Sequence, residues 1–423
     1  MSTGAVPTRG TNPAVSASTV AALAGDIPDG DLLVLLAAYE GIHAVHPRLI
    51  VPAGASVPSL VLELGLRAHL DITPADARVF ATLDPRVATP VTLMLAGMSQ
   101  AWDLRDKAFA RLSEDDLTYL RASGHEHRTN DAHAEALMAQ VDKAALVNGA
   151  ILLLDTAEGL VIPALQTAVT AGAWPPLAIA DPAGVLRLGS PGDDFESLDR
   201  ILQIDPTGND IYTNNAGGTT LTTGPTHAGS PIALSIDLNG NDQYQKRRNS
   251  PKLGGSEAGI GILLDLTGND SYVCSLDCLG GTLSGIGYMR DQSGNDKYDT
   301  GEGIGSAGFG FIGVMREDAG NDSYLAGGFA MGSAEARGSM GLHWDRTGTD
   351  AHARLGGGIR QRCLDPRGSI YRAAFSVGKN TENRYAWIRR QRPPNPFARM
   401  RYGVGSWTTG GTRRHPPEPV AFC

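Results

Sequence analysis

The chain has 423 residues, enough for two or three domains, with a net charge of −9 and a 42% apolar fraction that supports packed cores. The acidity argues against a generic polyanion binder, and no run of about 18 uninterrupted apolar residues marks a membrane span. Glycine is abundant, at 53 residues, and is concentrated after residue 200 without a collagen period, which points to turns and close backbone packing.

Residues 1–20 are small and polar, with Pro and Gly, and read as a flexible leader. No basic segment followed by an apolar core is visible there, so no secretory signal is read. Residues 21–180 read as a helical domain of five to seven helices. Asp31-Leu-Leu-Val-Leu-Leu-Ala-Ala-Tyr39 is strongly apolar. Thr73-Pro74-Ala-Asp76 predicts a helix start, with Thr as N-cap and Pro in the first turn. Ser113-Glu-Asp-Asp116 predicts another, with Asp in place of the Glu of a capping box. The apolar spacing from Val91 through Trp102 to Phe109 predicts a long core-facing helix, and Asp131 to Leu154 predicts one more.

From residue 181 to about 375 the chain repeats. Six copies of an acid, two residues and then Gly, Asn or Thr, and Asp begin at Asp205, Asp237, Asp265, Asp291, Glu317 and Asp345. Their glycines, Gly208, Gly240, Gly268, Gly294, Gly320 and Gly348, are 32, 28, 26, 26 and 28 residues apart. An apolar residue sits three before each first acid, and seven after it sits Tyr212, Tyr244, Tyr272, Tyr298, Tyr324 and finally His352. Gly192-Asp193-Asp194-Phe195 reads as a degenerate first unit and Asp365-Pro-Arg-Gly368 as a decayed last one. Two short strands flanking a Gly-Asn-Asp turn explain the unit. It is too short for a propeller blade of roughly 40 residues and fits one rung of a parallel β-helix. The predicted fold is therefore α + β-solenoid: a helical N-terminal cap, then a right-handed parallel β-helix of about six to seven coils. Stacking at about 4.8 Å would align the tyrosines into a ladder.

The same stacking aligns two columns of acids. One is Asp205, Asp237, Asp265, Asp291, Glu317 and Asp345; the other is Asp210, Asp242, Asp270, Asp296, Asp322 and Asp350. Like charges near 5 Å repel by about 3 kcal/mol at an effective dielectric of 20, so the columns need compensation. Either cations sit between the acids, or backbone amides cap them and they splay into water. A cation there would be hard and oxygen-loving, as Ca²⁺ is.

Gly208-Asn-Asp210-Ile-Tyr212 and its equivalents resemble part of the haemolysin-type (RTX) calcium-binding nonapeptide, Gly-Gly-x-Gly-x-Asp-x-apolar-x, with an acid and variable residues in place of the leading Gly-Gly. The units also loosely resemble those of bacterial proteins with widely spaced Gly-Asn-Asp-x-Tyr repeats. The resemblance implies a non-catalytic structural or adhesive role, Ca²⁺ at the turns, an extracellular or cell-envelope setting, and a cell-envelope polymer or self-association as partner.

Rival features are fewer. Gly124-His-Glu-His127 with Asp131 and His133 lacks the spacing of a zinc helix and reads as a solvated loop. His43 and His46 read as satisfied core or edge histidines. Cys274 and Cys278 share one loop and suit a local disulfide or free thiols better than metal, with Cys363 and Cys423 unassigned. A carbohydrate-active β-helix enzyme, a lyase or glycosidase, is the alternative function, and Arg290, Arg316, Glu317 and His343 break the repeat where its site would lie. Residues 376–423 form an Arg-rich tail with interleaved aromatics, which offers polyanion binding or contact with the chain's own acids; nucleic acid is disfavoured by the net charge.

Overall fold

The computed structural model describes residues 27–125, 131–219, 229–245, 253–274, 278–301, 303–307, 311–327, 331–332, 334, 339–354, 372–377, 384–387 and 403–406. Among them, eight α-helices come first: α1 (Asp29–Tyr39), α2 (Val57–Arg67), α3 (Pro74–Ala77), α4 (Pro85–Phe109), α5 (Glu114–His125), α6 (Ala132–Met138), α7 (Lys143–Thr156) and α8 (Ile162–Thr170). Both predicted starts are present. Thr73 accepts from the Asp76 amide while the Asp76 carboxylate accepts from the Thr73 amide, with Pro74 in the first turn. Ser113 and Asp116 exchange the same pair of bonds ahead of α5. The long core-facing helix is α4, which buries Val91, Met94, Met98 and Trp102. The helix expected from Asp131 to Leu154 is two helices. Asp131 caps the amides of His133 and Ala134, and Asp142 caps that of Ala145, so a second N-terminus forms within the span. That split, with the one-turn α3, takes the count above the expected range.

A π turn at Ala157–Val161 joins α7 to α8. The continuous run Lys143–Thr170 has the length and mean hydropathy, 1.7, of a membrane-crossing helix, yet 67% of its most apolar window is buried within this protein. It packs against α1, α4 and the strands that follow.

Those strands form a parallel β-solenoid. The first sheet stacks β2 (Leu186–Leu188), β4 (Leu202–Asp205), β6 (Ile232–Asp237), β8 (Ile260–Asp265), β10 (Ile286–Asp291), β12 (Ile312–Glu317) and β14 (Met340–Asp345). β1 (Ile179–Ala180) pairs antiparallel at its start, and β16 (Arg372–Val377), β17 (Arg384–Trp387) and β18 (Gly403–Ser406) do so at its end. The second sheet stacks β3 (Phe195–Glu196), β5 (Ile211–Tyr212), β7 (Gln243–Gln245), β9 (Ser271–Cys274), β11 (Lys297–Thr300), β13 (Ser323–Ala326) and β15 (Ala351–Arg354), all parallel. β3 is the degenerate unit read at Gly192. On the third side, bridges link only Ser256, Thr282, Ala307 and Ala334. Coils closed on all three sides thus number about four among the described residues, fewer than the six to seven expected. The third side presses close on the first sheet. A Cβ on Gly313 would lie 2.1 Å from the Ser306 carbonyl oxygen, so the column Gly261, Gly287, Gly313 and Gly341 leaves room that a side chain would fill.

Alternation along the first sheet gives its two faces different neighbours. Leu202, Leu234, Ile262, Val314 and Leu342 share one apolar cluster with the helices. Leu263, Met289 and Met315 point the other way and share the coil interior with the tyrosines. The helices therefore pack along the outer face of the first sheet, not over one end of the coil. Arg290 and Arg316 lie on that outer face. Arg316 donates to Asp29 at 2.6 Å, to the Ile27 carbonyl and to Asp318, and sits 5.2 Å from the centre of the Trp344 ring. Arg290 bonds Asp318 and Glu158, and the Tyr288 hydroxyl donates to Asp29. Burial, then neighbouring Asp29, push the Glu158 carboxyl up to about 8.

Removing one member of such a buried network leaves charges without partners. Arg316→Met should lower unfolding free energy by about 3 kcal/mol, read by urea denaturation. A change under about 1 kcal/mol would show that the helices hold the sheet without these ion pairs.

Candidate metal centre

Each turn begins where a first-sheet strand ends. Asp265 closes β8, Gly268-Asn269-Asp270 makes the turn, and Tyr272 enters β9. Stacking fixes the turn residues. A Cβ on Gly268 would lie 2.0 Å from the Gly240 carbonyl oxygen of the rung before. Asn269 donates from both its amide and its side chain to Asn241 Oδ1, at 2.9 and 3.1 Å, and the same ladder runs from Asn209 to Thr349. The outer surface of these turns is a polar groove of about 800 Å³ lined by Thr207, Asn209, Asn241, Asn269, Ser293 and Asn295 among others.

Behind the asparagines lie both acid columns, and all twelve acids are 0–4% exposed. They are not splayed into water. The apolar residue three before each first acid faces the helices, and an odd step along a strand turns the acid inward. In the second column one carboxylate oxygen is capped by a backbone amide. Asp242 accepts from the Asp210 amide, Asp270 from Asp242, Asp296 from Asp270 and Asp322 from Asp296, at 2.5–2.8 Å. In the first column the caps of Asp237, Asp265 and Asp291 are tyrosine hydroxyls. Tyr212 donates to Asp237 Oδ2, Tyr244 to Asp265 Oδ2 and Tyr298 to Asp291 Oδ2, and the Tyr272 hydroxyl, 2.8 Å from Asp265 Oδ2 and 2.9 Å from Asp291 Oδ2, gives its one proton to either. The rings stack with centroids 4.7, 4.7, 4.9 and 4.7 Å apart from Tyr212 to Tyr324, and His352 adds a last plane at 4.6 Å.

The other oxygen of most of these acids is buried and receives no hydrogen bond from the protein. This holds for Asp242 Oδ2, Asp265 Oδ1, Asp270 Oδ2, Asp291 Oδ1, Asp296 Oδ2, Asp322 Oδ2 and both oxygens of Glu317. They converge. Five clusters of three acids each bring one oxygen per residue to within 4.8 Å of the others: Asp194, Asp205 and Asp210; Asp210, Asp237 and Asp242; Asp242, Asp265 and Asp270; Asp270, Asp291 and Asp296; Asp296, Glu317 and Asp322. Two oxygens on opposite sides of one Ca²⁺ stand about 4.6–5.2 Å apart, from bond lengths of 2.3–2.6 Å, so the spacing fits a shared cation. The donor set is oxygen alone, which suits a hard divalent ion and not zinc or copper. Asp345 and Asp350 continue the columns but join no such cluster among the described residues. Asp350 caps the Asp322 amide at 3.0 Å, and His352 Nε2 lies 3.8 Å from Asp345. Asp194, in the degenerate first unit, does join one.

Crowding shifts these acids upward. Burial first, and adjacent carboxylates after it, push Asp242 and Asp296 up to about 9. Burial lifts Asp270 to about 8, with Asp291 and Asp237 adding to it. Asp291 rises only to about 6, because two tyrosine hydroxyls bind its ionised form. Without a cation, protons must do the neutralising.

The residues proposed for an enzyme site are not brought together. Arg290 and Arg316 face the helices, while Glu317 and His343 face the interior. Burial holds the His343 ring down to about 3, and it packs edge-on against Tyr324. His46 is exposed, held between Asp155 at 2.7 Å and Asp31 at 3.1 Å, with its pKa raised chiefly by the Asp155 bond. His133 is in α6 and meets Tyr119 edge-on, while residues 126–130 of the histidine-rich segment lie outside the described residues. Cys274 and Cys278 form a disulfide. Cys363, Cys423 and the Asp365 unit lie outside the described residues, as does the Arg-rich tail apart from the strands β17 and β18. No family model matches the chain, and no match is found among curated proteins or solved structures.

The pH dependence follows with a definite sign. The unfolded carboxyls titrate near ~4 and the folded ones higher, so the folded state holds more protons in between. Stability is fully present below ~4 and is lost as pH rises through the folded values, about 7 for Asp237 to about 9 for Asp296. In chelator, the melting temperature should fall between pH 5 and pH 9, and saturating Ca²⁺ should flatten that fall. A cation-free melting temperature that climbs over this interval would contradict the buried acid file.

Proposed function

We propose that this is a non-catalytic structural repeat protein whose interior file of carboxylates binds divalent cations, with Ca²⁺ the ion it fits best. One observation carries the reading: in three consecutive clusters, from Asp242 to Asp322, buried carboxylate oxygens without a protein hydrogen bond converge on shared points. A buried ionised acid without a partner is costly, and a cation held by several oxygens answers that cost where water has no access. The Cys274–Cys278 disulfide and the millimolar calcium outside cells both favour an extracellular or cell-envelope setting. There the rigid coil would act as a spacer or adhesive element, its polar groove facing an envelope polymer or a second copy.

Thermal melting in Ca²⁺ and in chelator tests this. At 100 times its dissociation constant, each site should add about 2.7 kcal/mol. If Ca²⁺, Mg²⁺ and Mn²⁺ all leave the melting temperature where chelator puts it, the reading fails.

A substitution separates metal binding from mere packing. Asp270 belongs to two clusters and Asp350 to none. In chelator at pH 8, Asp270→Asn should melt higher than the parent, because it removes a buried charge. In Ca²⁺ it should gain less. Asp350→Asn, which keeps an oxygen to cap the Asp322 amide, should leave the calcium response unchanged. Equal calcium responses in the two variants would count against the clusters as the site.

A further inference from the structure

The clusters are not separate. Each neighbouring pair shares one acid, Asp210, Asp242, Asp270 or Asp296 in turn, so a cation in one cluster is bridged to the next. The first cluster contributes three acids and each of the other four adds two, which makes eleven carboxylates in one line.

The N-terminal end of that line is closed by a fixed positive charge. Arg187, only 4% exposed, touches Asp194 at 2.9 Å, Glu196 at 2.9 Å and Asp205 at 3.3 Å. Arg200 also reaches Glu196, at 3.4 Å. Register explains why an arginine stands there. Leu188 pairs with Ile204, so Gly189 precedes Asp205 in the first acid column. A Cβ on Gly189 would lie 1.7 Å from Asp205 Oδ2, so a side chain there would displace the Asp205 carboxylate from its present place. Arg187 stands at the neighbouring inward position and reaches Asp194 and Asp205, two acids of the first cluster. The eleven clustered acids with Glu196 carry twelve negative charges, and Arg187 with Arg200 leaves ten; Asp345 and Asp350, buried beyond the last cluster, lie outside this count. Five clusters holding one divalent ion each supply ten positive charges. Monovalent ions in the same five places would leave half of the buried charge uncompensated, and trivalent ions would overshoot it.

We propose that the five clusters hold one charge-balanced file of five bridged divalent cations, and that the Arg187 guanidinium is a built-in cation occupying the place of a sixth. This rests on the reading that the clusters bind metal, and it adds their number, their charge and how the file ends.

Metal content separates the two. The full chain, saturated with Ca²⁺ and dialysed against buffer containing millimolar Mg²⁺ at moderate salt to strip surface ions, is assayed for calcium by elemental analysis and native mass spectrometry. The expected ratio is five per chain. Arg187→Ser opens a space ringed by three carboxylates and should raise the ratio to six. Arg187→Lys keeps a positive charge there and should hold five. Asp194→Asn removes one ligand while Arg187 remains and should give four. If Arg187→Ser folds only in Ca²⁺, it is refolded and counted in Ca²⁺; if it never folds, the Arg187→Lys and Asp194→Asn ratios decide. A parent chain that retains no divalent ion overturns both the proposal and the metal reading. A parent that retains them at a ratio other than five, or an unchanged ratio in both Arg187→Ser and Asp194→Asn, overturns this proposal alone.

Discussion

A parallel coil turns every sequence position into a column, and the column of acids is the constraint around which this molecule is arranged. Rungs stack at the 4.7–4.9 Å that the tyrosine centroids record. At that spacing two exposed charges would repel by under about 1 kcal/mol, but the same pair at an effective dielectric of 20 repels by about 3.5. Twelve acids stand inside, not outside. The other repeated residues can be read as responses to that fact. Asparagines roof the columns, glycines let the roofs stack, backbone amides hold one oxygen of the second column, and tyrosine hydroxyls hold one oxygen of Asp237, Asp265 and Asp291 in the first.

The first sheet has no solvent face. Its strands from β6 to β14 are buried almost throughout, with the acid file on one side and the helices on the other. Parallel sheets are ordinarily covered on both faces, and here the two covers differ in kind. Toward the helices the columns are leucine, isoleucine and valine until they reach Arg290 and Arg316, which Asp29, Glu158 and Asp318 neutralise across the interface. Toward the interior, among the described residues, the acids meet Arg187 at the first rung and His352 near Asp345 at the last. The same fold thus settles buried charge by ion pairs on one face and leaves it to protons or cations on the other.

How much of this was legible in the sequence depends on whether the signal was local or cross-rung. The caps at Thr73 and Ser113 are short-range bonds between residues three apart, and they formed as read. So did the rungs, because acid, glycine and tyrosine keep fixed offsets within every unit. The inward direction of the acids was also present, in the odd step from the apolar residue to the acid, but the turn chemistry of Gly-Asn-Asp suggested surface. The break between α6 and α7 hid behind an unbroken apolar pattern, and Asp142 as a new cap decided it. Arg187 carried no repeat signal at all. Its role exists only because Leu188 pairs with Ile204, two elements whose register no local pattern states.

The division of labour within each carboxylate bears on why tyrosine recurs in the ladder. A phenylalanine would stack equally well and cost no buried hydroxyl. Tyrosine instead pins one oxygen of Asp265 through Tyr244 and of Asp291 through Tyr298, with Tyr272 placed to donate to either, and leaves the second oxygen turned toward the next acid. The amide caps do the same for Asp242, Asp270 and Asp296. These five acids are each held to one free oxygen in a fixed direction, which lowers the ordering cost of binding and disfavours bidentate grip by a single acid. The unfolded chain has no such arrangement, since the amide caps join residues 26 to 32 apart on neighbouring rungs, and Tyr244 reaches Asp265 across 21 residues. Cation affinity and coil formation are then one equilibrium, and the ions would stabilise the stacked state by as much as that state alone can bind them.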